Sequence, residues 1–166
     1  MTAALLAAYP DLFAAGASVA GVPVGAARSG MQAIIQMRTG GGDRSPEEWA
    51  ACARAAAPDE FEGPWPRLSI WQGQADTTVA PGNGDLLATQ WCALHDLAGP
   101  PIIKQVGNGI EHRMWRGRGQ PIVEHWLLPN LAHAYPVGES VVVRGRFVEQ
   151  APVDATGAIA RFFSLD

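Results

Sequence analysis

Short apolar runs alternate with helix-forming segments along this chain, and that alternation restricts its possible folds more than any other feature. Ala17–Val24 (ASVAGVPV) and Arg67–Gln72 (RLSIWQ) carry β-branched residues and read as two buried strands. Thr2–Phe13 is rich in Ala and Leu and predicts a helix ending before Gly16, with Pro10 marking its last turn or a break. Gly25–Gly42 holds glycines at both ends around MQAIIQMR, which predicts a loop with at most one helical turn and a Gly-rich exit. Ser45-Pro46-Glu47-Glu48 then opens a helix running to about Ala57. Ser45 is its N-cap, Pro46 takes the first helical position, and the two acids lie where the helix dipole favours them.

Beyond the Pro-rich break at Gly63–Pro66, Pro81–Leu97 places Leu86, Leu87, Trp91 and Leu94 on one helical face and is closed by Gly99-Pro100. Three strand-like stretches follow, Ile102–Val106, Glu111–Trp115 and Pro121–Leu128. The turns GNG and GRGQ separate them, as in a hairpin meander. Thr156–Phe163 reads as a closing helix. The fold class predicted is α/β: a mostly parallel sheet flanked by helices, with an antiparallel hairpin addition, in one domain over residues 1–166. In such sheets functional residues gather on loops at the carboxyl ends of strands, where Asp76 and His133 both fall.

The composition is that of a globular chain, with 48% hydrophobic and 17% charged residues in 166. A net charge of −4 without a basic run excludes a nucleic-acid partner, whose affinity would come from clustered Lys and Arg. Met1–Ala20 lacks a charged n-region and is broken by Tyr9-Pro10-Asp11, so it is not a signal peptide. No run approaches the roughly 20 apolar residues a bilayer requires, which predicts no membrane partner. Cys52 and Cys92 are too few for a disulfide framework and read as two small buried thiols.

Chemistry concentrates in two segments, Trp71-Gln-Gly-Gln-Ala-Asp76-Thr-Thr-Val79 and Leu131-Ala-His133-Ala-Tyr-Pro-Val-Gly138. An acid on a loop after an apolar strand, followed by a histidine on a second such loop, is the latter part of the order Ser, Asp, His. Taken alone, Asp76 reads more readily as a solvated or turn-forming loop acid, and His133 as a loop histidine. Ser18 lies in Gly16-Ala-Ser18-Val-Ala, which lacks the closing glycine of a nucleophile elbow. It also follows a helix and enters a strand, the reverse of what an elbow needs, and so reads as a small residue opening a strand. His112 and His125 sit in strand-like stretches, with no third ligand at a zinc spacing, and neither a metal site nor a cofactor is predicted. His95 lies near a helix C-terminus, where a cation is favoured. Gly40–Asp43 precedes a helix but lacks a preceding strand and a Lys-Ser/Thr continuation, so it reads as a flexible connection. Trp71 and Trp91 are predicted to pack in the core, and Trp65, between two prolines, either packs there too, the favoured reading, or lines a cleft.

LAAYPDLFAAGASVAGVPVGAA, LSIWQGQADTTVAPGNGDLLATQWCALHDL and VEHWLLPNLAHAYPVG resemble the C-terminal half of poly(3-hydroxybutyrate) depolymerase-type esterases. These are α/β-hydrolases that include feruloyl and acetylxylan esterase-like members, and the resemblance covers nearly the whole chain. It implies that Asp76 is the triad acid and His133 the triad histidine of a carboxylic-ester hydrolase acting on an ester or polyester. Trp65 becomes a candidate substrate contact, because exposed aromatics grip apolar chains in such enzymes. The family's nucleophile stands in a Gly-x-Ser-x-Gly elbow just before the helix that begins here at Met1. On that reading the chain is a truncated hydrolase domain without its nucleophile, inactive by itself. The alternative is a non-catalytic remnant or binding module. The resemblance further implies a secreted protein, and a strand at Ala17–Val24 that lacks its family neighbour and self-associates through an exposed apolar edge.

Overall fold

Tyr9 ends the first helix because it precedes Pro10, whose ring disfavours the helical region for the residue before it: its backbone has left that region (φ −133°, ψ 57°). Helix α1 is therefore Thr2–Ala8, shorter than the predicted Thr2–Phe13. The computed structural model describes residues 1–143 and 145–165. In it α1 leads into β1 (Ala15–Val19), α2 (Gly30–Thr39), α3 (Pro46–Arg54), β2 (Arg67–Gly73) and α4 (Gly82–Leu94). The meander β3 (Ile102–Gln105), β4 (Glu111–Gly117) and β5 (Gln120–Leu128) follows, then β6 (Tyr135–Gly138), β7 (Val148–Ala151) and α5 (Ala155–Phe163).

The main sheet has the order β1-β2-β5-β4-β3. The pairs β1–β2 and β2–β5 are parallel, and β4 and β3 add antiparallel strands at one side. β6 and β7 form a separate parallel pair. Among the described residues no helix is long and apolar enough to cross a membrane.

Three local expectations are corrected. The first strand is Ala15–Val19 rather than Ala17–Val24, because the chain turns at Ala20, whose φ of 48° leaves the β region. The predicted loop across residues 25–42 holds a ten-residue helix, α2, capped by Ser29, whose side chain accepts from the Gln32 amide, and ended by Gly40 in the left-handed region. It buries no residue, so core-facing periodicity could not reveal it. The pair β6–β7 was also unforeseen, since YPVG and VEQA show no clean alternation. By contrast α3 has the predicted start, with Ser45 and Glu48 forming a reciprocal capping box and Pro46 at its first position.

Each sheet face carries its own apolar cluster. Leu68, Ile70 and Val123 pack beneath α1, α3 and α4 against Leu6, Ala50, Ala53, Leu87 and Trp91. Trp71, Trp126 and Leu128 pack with Leu131, Ala151, Ala155 and Ala158 on the other face, beneath β7 and α5. Complete burial of a side chain such as Leu68 or Ile70 stabilises the fold by ~1.5–3 kcal/mol. Trp71 and Trp91 are both fully buried, as predicted. The two clusters clamp β2 and β5 side by side, and the loops leaving those strands carry Asp76 and His133.

Candidate active site

Gly73 pairs with Leu128, so β2 and β5 end at the same level and their exit loops start as neighbours. After β2 the chain turns at once, with the Asp76 amide donating to the Gly73 carbonyl at 3.4 Å. Oδ1 of Asp76 accepts from the backbone N–H groups of Thr78 and Val79, each at 2.8 Å, which fixes the carboxylate against its own loop. The buried Gln72 amide donates to the Val79 and Gly73 carbonyls at 3.1 Å and holds the other side of that loop.

This leaves Oδ2 of Asp76 free for His133, whose Nδ1 lies 2.8 Å away. An ionised carboxylate only accepts, so Nδ1 carries the proton and Nε2 keeps its lone pair. The Asp76 side chain is fully buried, while that of His133 is one-third exposed. Phe147 meets the imidazole edge-on, with ring centroids 5.9 Å apart. The carboxylate thus orients the ring and is placed to stabilise an imidazolium, leaving Nε2 to exchange a proton with a reacting group. Among the described residues no hydroxyl is hydrogen-bonded to His133 Nε2.

The other candidates lie elsewhere. Trp65 precedes β2 whereas Asp76 follows it, so a seven-residue strand, about 20 Å long, separates them. Trp65 packs edge-on to Phe61 and lines a groove at the opposite end of the sheet from the Asp76–His133 pair. Ser18 is buried in β1, and a Cβ at Gly21 would lie 2.1 Å from its Oγ, so the hydroxyl is tucked beneath the turn that follows.

His112 and His125 project from opposite faces of the sheet, because His112 pairs with Trp126 and His125 with Arg113. His112 stacks on Trp126 and contacts Glu124 at 2.8 Å, whose other oxygen accepts from Ser69 at 2.6 Å. His125 is sealed under α4, and burial pushes its pKa down to about 3. Burial also lowers the pKa of His95, whose neutral ring donates from Nε2 to the Pro66 carbonyl at 3.1 Å, in place of the expected cation at the helix end. The thiols are free: burial pushes Cys92 up to about 12, and Cys52, partly exposed, accepts from Arg44.

Asn83 was not anticipated. Fully buried at the start of α4, it donates to the carbonyls of Gln36, Met37 and Ala80 and accepts from the Gln36 amide, tying α2 to the end of the acid loop. Its only sequence signal was a polar residue between Gly82 and Gly84 at the helix start.

No family model matches the chain. Poly(3-hydroxyalkanoate) depolymerase C of Paucimonas lemoignei is 30% identical over 171 residues, covering 99% of this chain and 41% of that protein. The acetylxylan esterase of Coprinopsis cinerea is 31% identical over 145 residues, covering 86% of this chain and 38% of that protein. Over nearly its whole length the chain is homologous to these depolymerases and esterases. An acetyl xylan esterase structure from Aspergillus awamori superposes on this chain with a TM-score of 0.74 at 21% identity, covering 98% of this chain and 54% of that one. A PHB depolymerase complexed with an R3HB trimer superposes with a TM-score of 0.62 at 18% identity, covering 97% and 46%. These likenesses give the chain a partial α/β-hydrolase fold, and it spans about half the length of the solved structures and less of the curated relatives.

Proposed function

We propose that Asp76 and His133 are the acid and the base of a serine-esterase triad that cleaves carboxylic esters of the polyhydroxyalkanoate type, its nucleophilic serine lying outside residues 1–166. The 2.8 Å contact between His133 Nδ1 and Asp76 Oδ2 carries this reading. His133 Nε2 takes the serine proton as the hydroxyl attacks the ester carbonyl, then returns it to the departing alcohol. Asp76 stays ionised, holds the tautomer and stabilises the imidazolium between these steps. The ester class comes from the named relatives, a poly(3-hydroxyalkanoate) depolymerase and an acetylxylan esterase. On the same resemblance the enzyme works outside the cell. β1 is an edge strand of the main sheet, and its self-association belongs to this proposal.

The test is hydrolysis of a short-chain nitrophenyl ester by residues 1–166 alone, and by the product of the same gene read in frame upstream of Met1. Residues 1–166 are expected to give no hydrolysis that depends on His133. The longer product is expected to hydrolyse the ester, with kcat falling about 10⁴-fold in Asp76→Asn and at least as far in His133→Ala. Full activity in His133→Ala would refute the triad. A stop codon immediately upstream would replace it with a non-catalytic binding module.

A further inference from the structure

Gly73 stands where the histidine loop crosses the end of β2. A Cβ built there would lie 2.2 Å from the Leu131 carbonyl oxygen, 2.6 Å from that of Ala132 and 2.8 Å from the Leu131 carbonyl carbon. All three are backbone atoms, so no side-chain rotation relieves the overlap. The backbone at Gly73 is not left-handed, which leaves space rather than conformation as the reason for glycine. Two hydrogen bonds bind the same crossing: Gln74 N–H donates to the Leu128 carbonyl at 2.9 Å, and Ala75 N–H to that of Leu131 at 3.1 Å. The Leu131 carbonyl, two residues before His133, is thus docked against the bare Cα of Gly73, three residues before Asp76.

We infer that Gly73 is a positioning residue that sets His133 against Asp76. A methyl group at residue 73 drives the Leu131 carbonyl back by about 1 Å to reach ordinary contact, and a displacement of that size is the scale at which catalytic geometry fails. Carried along the loop, it takes Nδ1 and Oδ2 from 2.8 Å to beyond hydrogen-bonding distance. The catalytic meaning of this contact rests on the proposed triad, but the contact itself is observable without a nucleophile.

The experiment is proton NMR of residues 1–166, following the strongly deshielded Nδ1–H of His133 and identifying it by its loss in Asp76→Asn. Gly73→Ala is compared with Gly16→Ala, whose added Cβ meets Leu6 Cδ1 at 2.7 Å in the core beneath α1, away from both loops. The resonance is expected to vanish in Gly73→Ala, to persist in Gly16→Ala, and to return when one glycine inserted after Asn130 gives the Gly73→Ala loop slack. If Gly73→Ala alone does not fold, the variant with the insertion is read in its place, and a missing resonance there overturns the inference. Persistence of the resonance in Gly73→Ala, or its equal loss in both alanine variants, also overturns it. A resonance that survives Asp76→Asn removes the Asp76–His133 pair itself, an outcome distinct from failure at Gly73.

Discussion

Acid is expected to unfold this protein partly through His125. The ring is fully buried and, among the described residues, neither nitrogen has a hydrogen-bond partner. Asp85 Oδ1 stands 3.7 Å from Nδ1, within ion-pair range but beyond a hydrogen bond, and Arg113 engages the same oxygen at 2.9 Å. Burial and then the Arg113 charge take the pKa of His125 from 6.5 to about 3. Between those values the unfolded chain binds a proton that the folded chain refuses. The stability His125 contributes is therefore complete above pH 6.5 and lost as pH falls, by about 1.4 kcal/mol per pH unit, or about 3 kcal/mol by pH 4. That is a large fraction of the ~5–15 kcal/mol that holds a domain folded. Asp85 acts in the opposite direction, since burial raises its pKa, and it remains in place when His125 is exchanged for leucine. Urea unfolding of the wild type and of His125→Leu at pH 7 and pH 4 measures the difference. The wild type is expected to lose about 3 kcal/mol more than the variant over that interval. Equal losses, or a His125 resonance titrating near 6.5, would refute the reasoning.

Replacing Ser45 with alanine removes one arm of the α3 capping box and is expected to cost about 1 kcal/mol in urea unfolding, and a change below the error of the fit would contradict it. Asn83→Ala leaves the Gln36 and Met37 carbonyls without their side-chain donor, costs ~1–3 kcal/mol and is expected to speed amide exchange in α2 relative to α4. Unchanged exchange in α2 would show that Asn83 does not hold that helix. At pH 8 a disulfide reagent is expected to label Cys52 in the native protein and to reach Cys92, its pKa pushed up to about 12, only in denaturant. Labelling of both thiols at one rate in the native state would count against the buried position of Cys92.

Asp76 and His133 were legible because each sits in a block of distinctive neighbours just past an apolar strand. Their contact was implied by the family resemblance alone, since 57 residues separate them and only the lateral pairing of β2 with β5 brings them together. The end of β1 was misread because apolar residues run on through Val24, and hydropathy does not register the turn at Ala20. α2 escaped because it offers nothing to the core, although Ser29 and Gly40 marked both its ends. Trp65 packs against the core and lines a groove, but at the end of the sheet away from Asp76, as its position before the strand that Asp76 follows requires. The Leu131 carbonyl against Gly73 had no signal at all, because backbone packing across strands leaves no pattern beyond a glycine.

The side-by-side pairing of β2 and β5 also changes how the long stretch between them is viewed. Residues 74–119 leave β2, build α4 and the outer hairpin β3–β4 that extends the sheet, and lead into the strand beside the one they left. The distance from acid to histidine is set by one inter-strand spacing, about 4.8 Å, whatever the length of that excursion. The tip of the outer hairpin, Gly107–Gly109, is therefore a place where new termini or an inserted module leave the pair assembled. The Asp76–His133 contact is assembled across the sheet rather than along the chain, and a circular permutant opened at Asn108 would retain it.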